Sequence, residues 1–567
     1  MTVRGPQTGA GASRLLGSTS TTLPAPGAGA AKASARASEA QATSPVTDAL
    51  TDAPAARAAA LVLGRPSTRA LAQDVVLGAL GLGHRPRLLG PDAIAAKVLR
   101  LEKAGVAVET IGASRAGRPI HALTVGHGPV RIAAMSGAHP DEPVGALTVL
   151  ALAEAIHTDP RLAGLASQVT LHLVPCANPD GAAKNAAWFD AWSAGGPLAP
   201  RLRAYFEHVA RDTPADDVEF GFPTPTRAGG LGAADAGARP ENRALAGWLE
   251  RLGSLDHYVS LHSMFLGGGA LFLVTTDDLA REQPKLDFVL ERAASMGMGL
   301  HDKDRAGQKG FARIGPGLQT APTQAAMKAF FEAAAKAGDA SAQAQADAFK
   351  LNSMQVAQLQ NDAPLALVSE IPLVYDPRIA SMEPTQVLRR DEERRFADGL
   401  IAVFGRVGAL VAEARAALGG ATARAEGTAT QALDAIDARL ATGRSAALAQ
   451  TQDLARWGEM RASVGNVLED DLNLMRREAT LLAQVLAALE PARVGSPAAE
   501  AVGAQASARL DALLEDITAR FALEAPTLDT QARLQMAAVL APVFSSSSEP
   551  RVRQPEAPRL DGRSQSS

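Results

Sequence analysis

Short apolar runs that alternate with amphipathic helices are the feature that most constrains how this chain folds. Val130–Met135 reads as a buried strand, residues 143–157 as a helix with leucines on one face, and Val169–Pro175 as the next strand. This alternation is typical of an α/β domain, in which helices cover the faces of a sheet. The same signals predict further strands at Val106–Ile111, Pro119–Val125, Tyr258–Leu261 and Leu365–Ser369.

The segments on either side of this pattern differ in amino-acid composition and in hydrophobic pattern. Residues 1–58 are rich in Ala, Gly, Ser and Thr, so we expect a disordered tail, followed by a short N-terminal arm at 59–88. We assign 89–384 to the α/β domain, 385–544 to an all-α bundle or coiled-coil-like region, and 545–567 to a second disordered tail.

Apolar residues in the C-terminal region recur at alternating steps of four and three, which is heptad spacing. They are Leu468, Leu472, Met475, Ala479, Leu482, Leu486 and Leu489. Because the pattern is short, it favours a helical bundle over an extended coiled coil. A homo-oligomer or a protein partner bound through these helices is an open alternative for their role.

Composition excludes several classes of function. A net charge of −4 leaves no basic surplus to neutralise phosphates, which argues against a nucleic-acid binder. No apolar run reaches the ~18–20 residues that a membrane span requires, so we expect no membrane insertion. Cys176 is the single cysteine, which rules out an internal disulfide and fits a reducing compartment. We therefore expect a cytoplasmic protein, since the N-terminus also lacks the plan of a secretory signal.

Residues with metal-binding and acid–base chemistry follow three of the predicted strands. His139 and Glu142 stand in the turn after the first strand, His262 ends a later one, and Glu370 ends another. Because parallel strands gather their carboxyl ends at one sheet edge, these residues can converge in space. Imidazole and carboxylate both suit Zn²⁺, and a catalytic zinc takes three protein ligands and keeps one open position. We therefore predict Zn²⁺ as cofactor, with His139, Glu142 and His262 as ligands and Glu370 as general base.

Five segments in this order resemble the zinc metallocarboxypeptidases of the carboxypeptidase A type, as a divergent member with bacterial-like features. The segments are Gly112–Ile120, His139–Glu142, Asn178–Gly181, Ser260–Ser263 and Val368–Pro372. The resemblance covers roughly residues 90–380. It implies a three-layer α/β/α sandwich around a mixed sheet, one Zn²⁺ ion, and hydrolysis of an amide bond by a zinc-activated water.

One departure from the family pattern concerns the end of the substrate. Members of the family bind the terminal carboxylate through an Asn-Arg pair in an Asp-x-Asn-Arg-Asn-aromatic segment. The counterpart here is Asp217–Pro223, in which Glu219 and Phe220 hold those two positions. An acid at this place would favour an amine or guanidinium on the substrate. We therefore name Glu219 and Phe220, together with Arg313, as candidate substrate-binding residues.

Two further residues of the family pattern are not found in their usual places. The tyrosine that precedes the catalytic glutamate has no counterpart, because no tyrosine lies between Tyr258 and Tyr375. The arginine that assists the oxyanion is unassigned, and the candidates are Lys184, Arg211 and Arg313.

These observations predict a zinc-dependent metallopeptidase, an exopeptidase with non-standard recognition of the substrate end. One alternative is a zinc amidase or deacylase that acts on N-acyl amino acids or cell-wall peptides through the same site. Another is a catalytically silent family member in which the C-terminal helices serve as a scaffold.

Overall fold

The fold is described from a computed structural model. It covers residues 76–545, apart from short gaps at 84–85, 214–215, 227–229, 232–237, 303, 306–307, 337–341, 420 and 452–453. The predicted tail 1–58, residues 59–75 of the arm, and residues 546–567 of the second tail lie outside the described residues.

A nine-stranded mixed sheet forms the centre of the α/β part. Its strands are β1 Ala107–Ala113, β2 Pro119–Gly126, β3 Val130–Ser136, β4 Val169–Val174, β5 His257–His262, β6 Leu271–Thr275, β7 Arg313–Gly315, β8 Leu318–Thr320 and β9 Ala366–Glu370. They lie in the order β1-β2-β4-β3-β5-β9-β6-β8-β7. The pairs β4/β3, β3/β5, β5/β9 and β6/β8 are parallel, and the remaining pairs are antiparallel. The predicted hairpin, β1 with β2, is confirmed.

The three strands β3, β5 and β9 are neighbours at the centre of the sheet, and their apolar sequences explain why. Every residue of β5 is buried, and so are the last five of β3, as expected for central strands covered on both faces. Because the three strands are mutually parallel, their carboxyl ends meet at one edge of the sheet. This edge is where His139, His262 and Glu370 stand.

Helices cover both faces of the sheet. The described helices are α1 Pro91–Lys103, α2 Val144–Thr158, α3 Pro179–Lys184, α4 Ala186–Ala194, α5 Leu198–His208, α6 Pro240–Leu252, α7 Leu279–Ser295, α8 Gln324–Lys336, α9 Ala342–Ala348, α10 Ser353–Asn361, α11 Arg389–Ala416, α12 Ala423–Gln450, α13 Val464–Arg493, α14 Pro497–Arg520 and α15 Leu528–Phe544; a four-residue helical turn spans Ala163–Ala166. Along β3, Ile132 and Ala134 join a core with α2, α7 and α15, whereas Ala133 and Met135 join one with α6 and α10. The α/β fold class with three layers is thereby confirmed.

Short two-stranded ladders join loops outside the main sheet. They pair Pro225–Thr226 with Gly230–Leu231, Leu266–Gly267 with Val374–Tyr375, and Pro384–Leu388 with Arg461–Ser463.

Helices α11 to α14 form the bundle that the heptad pattern predicts. Leu472, Met475, Ala479, Leu482 and Leu489 are buried in a core shared by α11, α12 and α14, and the two other heptad positions pack against it. The same core includes Trp188 of α4 and Phe265 after β5. The bundle therefore packs against the α/β part through a continuous apolar core.

Helix α15 follows the bundle in the chain and packs against the sheet. It contacts α2, α7 and β5, and its apolar residues belong to the core beneath the sheet. The described part of the N-terminal arm packs on this helix, since the Leu82 amide donates to Asp529 at 2.7 Å. The sequence pattern groups α15 with the helical region, but the structure places it within the α/β layer.

Among the described helices, none combines the length and the apolar character that crossing a membrane requires.

Candidate metal centre

The turn after β3 brings His139 and Glu142 together. Gly137, with φ of 68°, turns the chain off the strand, and the Glu142 amide donates to the His139 carbonyl at 3.2 Å. Helix α2 then packs close behind the turn, because a side chain at Gly145 would meet Ser136 Cβ at 2.6 Å. As a result, His139 Nδ1 and Glu142 Oε1 lie 3.0 Å apart.

His262, the last residue of β5, completes the group. Parallel pairing sets Ser136 of β3 opposite Leu261, which delivers the next side chain to the turn. His262 Nδ1 lies 2.6 Å from Glu142 Oε2, and the two imidazole rings are 4.4 Å apart between centroids. One ligand atom from each of the three residues lies within 4.8 Å of the others.

Two carboxylates face the outer nitrogens of these histidines. Asp217 Oδ1 lies 3.4 Å from His139 Nε2, within ion-pair distance, and Glu219 Oε2 lies 3.3 Å from His262 Nε2. Ser260 Oγ is also 2.9 Å from His262 Nε2. Asp217 is a site residue that the sequence-based prediction missed. A signal for it existed, because Asp217 holds the first position of the segment compared with Asp-x-Asn-Arg-Asn.

The charges around the group suit a divalent cation. Burial raises the pKa of Glu142, but His139, His262 and Arg211 lower it well below its usual range. Burial and Arg211 lower the pKa of His139, yet Glu142 and Asp217 raise it to about 9. Burial likewise lowers the pKa of His262, and Glu142 and Glu219 raise it well above its ordinary value. A metal would replace the protons that these carboxylates hold on the imidazoles. Two imidazoles and a carboxylate form a donor set that fits Zn²⁺.

Glu370 lies beside this group because β9 pairs with β5 in parallel. The register sets Glu370 opposite His262, and the Ile371 amide that follows reaches the His262 carbonyl at 3.4 Å. Burial, then the charge of Glu142, raises the pKa of Glu370 to about 7. A carboxyl group that titrates near neutrality is suited to accept and return a proton.

Of the three candidate cations, Arg211 is the one that contacts the group. Its Nη1 donates to Glu142 Oε1 at 2.8 Å and to Asp141 Oδ1 at 3.0 Å, while 43% of the side chain remains exposed. Arg313 instead pairs with Asp302 at 2.7 and 2.9 Å. It stands on β7, four strands from β5 and thus roughly 19 Å away at the usual strand spacing. Lys184 ends helix α3.

Glu219 and Phe220 both make contacts inside the protein. Glu219 is only 3% exposed, and both of its oxygens accept hydrogen bonds within the protein. This placement argues against the predicted contact with a substrate amine. Phe220 packs edge-to-face on Phe349, with centroids 5.5 Å apart, in a small separate core with α8 and α9.

Comparison with known proteins agrees with this description. Residues 94–267 match the family model of the zinc carboxypeptidases. A search of curated proteins finds no match. Among solved structures, a protein of Shewanella amazonensis assigned as a metallopeptidase is 14% identical with a TM-score of 0.33, over 50% of this chain and 84% of the other. Carboxypeptidase A of Helicoverpa armigera is 15% identical with a TM-score of 0.30, over 50% of this chain and 65% of the other.

A metallo-carboxypeptidase of Burkholderia cenocepacia is 16% identical with a TM-score of 0.29, over 50% of this chain and 60% of the other. At these identities and TM-scores, the likeness to solved structures supports no conclusion about this chain. The match over 94–267 includes the turn with His139 and Glu142 and the end of β5 with His262. The α/β domain is therefore similar to the zinc carboxypeptidases over residues 94–267.

Proposed function

We propose that this protein hydrolyses a peptide bond, or a closely related amide, with Zn²⁺ held by His139, Glu142 and His262 and with Glu370 as general base. The observation that carries the proposal is the meeting of these four side chains at one sheet edge. Three of them offer ligand atoms within 4.8 Å of one another, and the fourth is in register with His262.

The roles of the metal ion and of Glu370 in this proposal follow from the positions of the side chains. A zinc ion with three protein ligands polarises a carbonyl and lowers the pKa of the water that it binds. Glu370 is placed to take a proton from the attacking water and to pass it to the leaving amine. Its pKa of about 7 in the metal-free protein leaves both protonation states accessible near neutrality.

Arg211 is the candidate that assists the developing charge on the substrate carbonyl. Its guanidinium is anchored by Asp141 and Glu142, and the exposed remainder is free to donate to an oxyanion. Burial lowers the pKa of Arg211, but Asp141 and Glu142 raise it well above its ordinary value, so it stays charged. Arg211 therefore takes the role for which Lys184 and Arg313 were the other candidates.

Recognition of the substrate end differs from that of a plain carboxypeptidase in this proposal. The segment 217–222 has an acid and an aromatic ring in place of the Asn-Arg pair, and both are engaged inside the protein. An exopeptidase with altered end recognition is therefore favoured. The same observation keeps a zinc amidase or deacylase as the second candidate, because such an enzyme need not bind the terminal α-carboxylate of a peptide through an Asn-Arg pair.

Hydrolysis of a matched amide library by zinc-loaded protein tests the proposal. Each peptide is supplied with a free and with an amidated C-terminus, and N-acyl amino acids are included. We expect turnover that Glu370→Gln lowers about 10²- to 10⁴-fold, whereas Glu291→Gln, on an exposed position of α7, retains it. Full activity of Glu370→Gln would disprove the assignment of the base. Release of C-terminal residues from free-carboxylate peptides alone would disprove altered end recognition.

A further inference from the structure

The loop 217–222 carries two carboxylates, two positions apart in the chain, that lie beside the Nε2 atoms of the two histidines. Asp217 faces His139 Nε2, and Glu219 faces His262 Nε2. The loop is held in this shape from within, since the Glu219 amide donates to Asp217 Oδ1 at 2.8 Å. Asn242 of α6 donates to the Val218 carbonyl at 2.7 Å. These hydrogen bonds fix the loop so that the Glu219 side chain faces β5.

Glu219 is fixed at both of its oxygens. Oε2 accepts from Ser260 Oγ at 3.0 Å and lies 3.3 Å from His262 Nε2. Oε1 accepts from the Ser353 amide at 3.2 Å and from the Ser353 hydroxyl. Ser353 is the first residue of α10, so its amide has no partner inside the helix and the helix dipole favours a negative charge there. Both oxygens of Glu219 are thus fixed, and Oε2 is directed at His262.

The contact of Glu219 with His262 Nε2 affects how this imidazole binds a metal. His262 Nδ1 faces Glu142, so Nε2 must carry the ring hydrogen when Nδ1 serves a metal. A carboxylate acceptor at Nε2 selects this tautomer, fixes the ring, and makes Nδ1 a stronger donor. Ser260, on the same strand, is the hydroxyl that links Glu219 to the ring.

We propose that Glu219 is a positioning residue for the zinc ligand His262, anchored by Ser353 and Ser260, and that it does not bind substrate. The inference rests on the proposed zinc site. It explains why an acid occupies this position, because the carboxylate contacts His262 at Nε2, on the side of the ring opposite the metal. The predicted contact with a substrate amine would instead require Glu219 to face the substrate.

The test compares the full-length protein with Glu219→Gln, Ser353→Ala and a control, Glu282→Gln. Glu282 is a carboxylate only 1% exposed, on α7, that pairs with Lys285 and Arg281 and lies outside the metal group. Zn²⁺ dissociation constants are measured by competition with a chelator. The visible absorption spectrum of the Co²⁺-substituted protein reports the ligand field, which a merely structural role of Glu219 would not change.

We expect Glu219→Gln to weaken Zn²⁺ binding about 10- to 100-fold and to shift the Co²⁺ bands. Ser353→Ala keeps Glu219 but removes the hydroxyl that binds one of its oxygens. It should change the Zn²⁺ affinity and the Co²⁺ bands in the same direction by less. If Glu219→Gln does not fold, the Ser353→Ala result alone tests the inference. Glu282→Gln should match the wild type. Wild-type Zn²⁺ affinity and Co²⁺ spectra in both variants would overturn the inference while leaving the proposed function intact. A wild-type protein that binds no Zn²⁺ would instead overturn the proposed function.

Discussion

Gln535 Nε2 donates a hydrogen bond to the backbone carbonyl of His262 at 2.9 Å, across 273 positions of the chain. The Gln535 side-chain oxygen accepts from the Thr148 hydroxyl at 2.6 Å. One buried amide on α15 therefore links the helix behind the His139 turn to the end of β5. Helix α15 is thus part of the structure that supports the candidate metal centre.

Replacing this amide should cost stability. Gln535→Ala removes two buried hydrogen bonds and leaves the Thr148 hydroxyl only the Val144 carbonyl at 3.2 Å, so we expect the free energy of unfolding to fall by about 1–3 kcal/mol. Denaturant unfolding of the metal-free protein measures the change. Gln343→Ala, at an exposed position of α9, should have little effect. Equal stability of the two variants would show that the Gln535 hydrogen bonds contribute nothing.

Removal of α15 should have a much larger effect than any single substitution. A chain that ends after Pro526 lacks the helix whose buried residues share a core with β3 and β5. We expect it to lose cooperative unfolding and zinc binding together, as followed by circular dichroism and metal analysis. A chain that ends after Ser545 serves as the control. A folded, zinc-binding protein without α15 would contradict the assignment of this helix to the α/β layer.

Zinc affinity should rise steeply with pH. The folded-state pKa of His139 is raised to about 9, so protons compete with a metal at neutral pH. The same shift stabilises the metal-free protein fully below pH 6.5, and this contribution is lost as the pH rises through about 9. Chelator competition between pH 6 and pH 9 measures the affinity. Affinity that does not change over this range would show that His139 is not protonated in the metal-free state.

The acidic limb of the pH–rate profile should report Glu370. Burial and the charge of Glu142 raise its pKa to about 7 in the metal-free protein, and a bound cation would lower this value. We therefore expect kcat/KM to fall as the pH drops below a midpoint at or under 7, because a protonated carboxyl cannot act as base. Glu370→Gln should lower kcat about 10²- to 10⁴-fold. An acidic limb that persists unchanged in residual Glu370→Gln activity would assign the limb to another group.

Much of the fold follows from patterns that are local in the chain. The apolar runs Ile132–Met135 of β3 and Ala366–Val368 of β9 are distinctive because strands covered on both faces have no polar alternation. The His139–Glu142 pair is also local, since the two candidate ligands are three positions apart in one turn. The heptad positions of α13 predict a bundle because helical periodicity decides which side chains share a face.

From the sequence alone follow six of the nine strands (β1 to β5 and β9), the order of the strand-end residues and the helical character of the C-terminal region, because each depends on neighbours a few positions apart. Strands β6, β7 and β8 were not predicted. Tertiary structure alone decided the return of α15 to the sheet, the contact of Arg211 with Glu142, and the direction of Glu219. These depend on contacts between residues from 43 to 273 positions apart. Whether a carboxylate faces a substrate or a histidine is set by the packing of β5, α10 and the loop between α5 and α6, which no local pattern encodes.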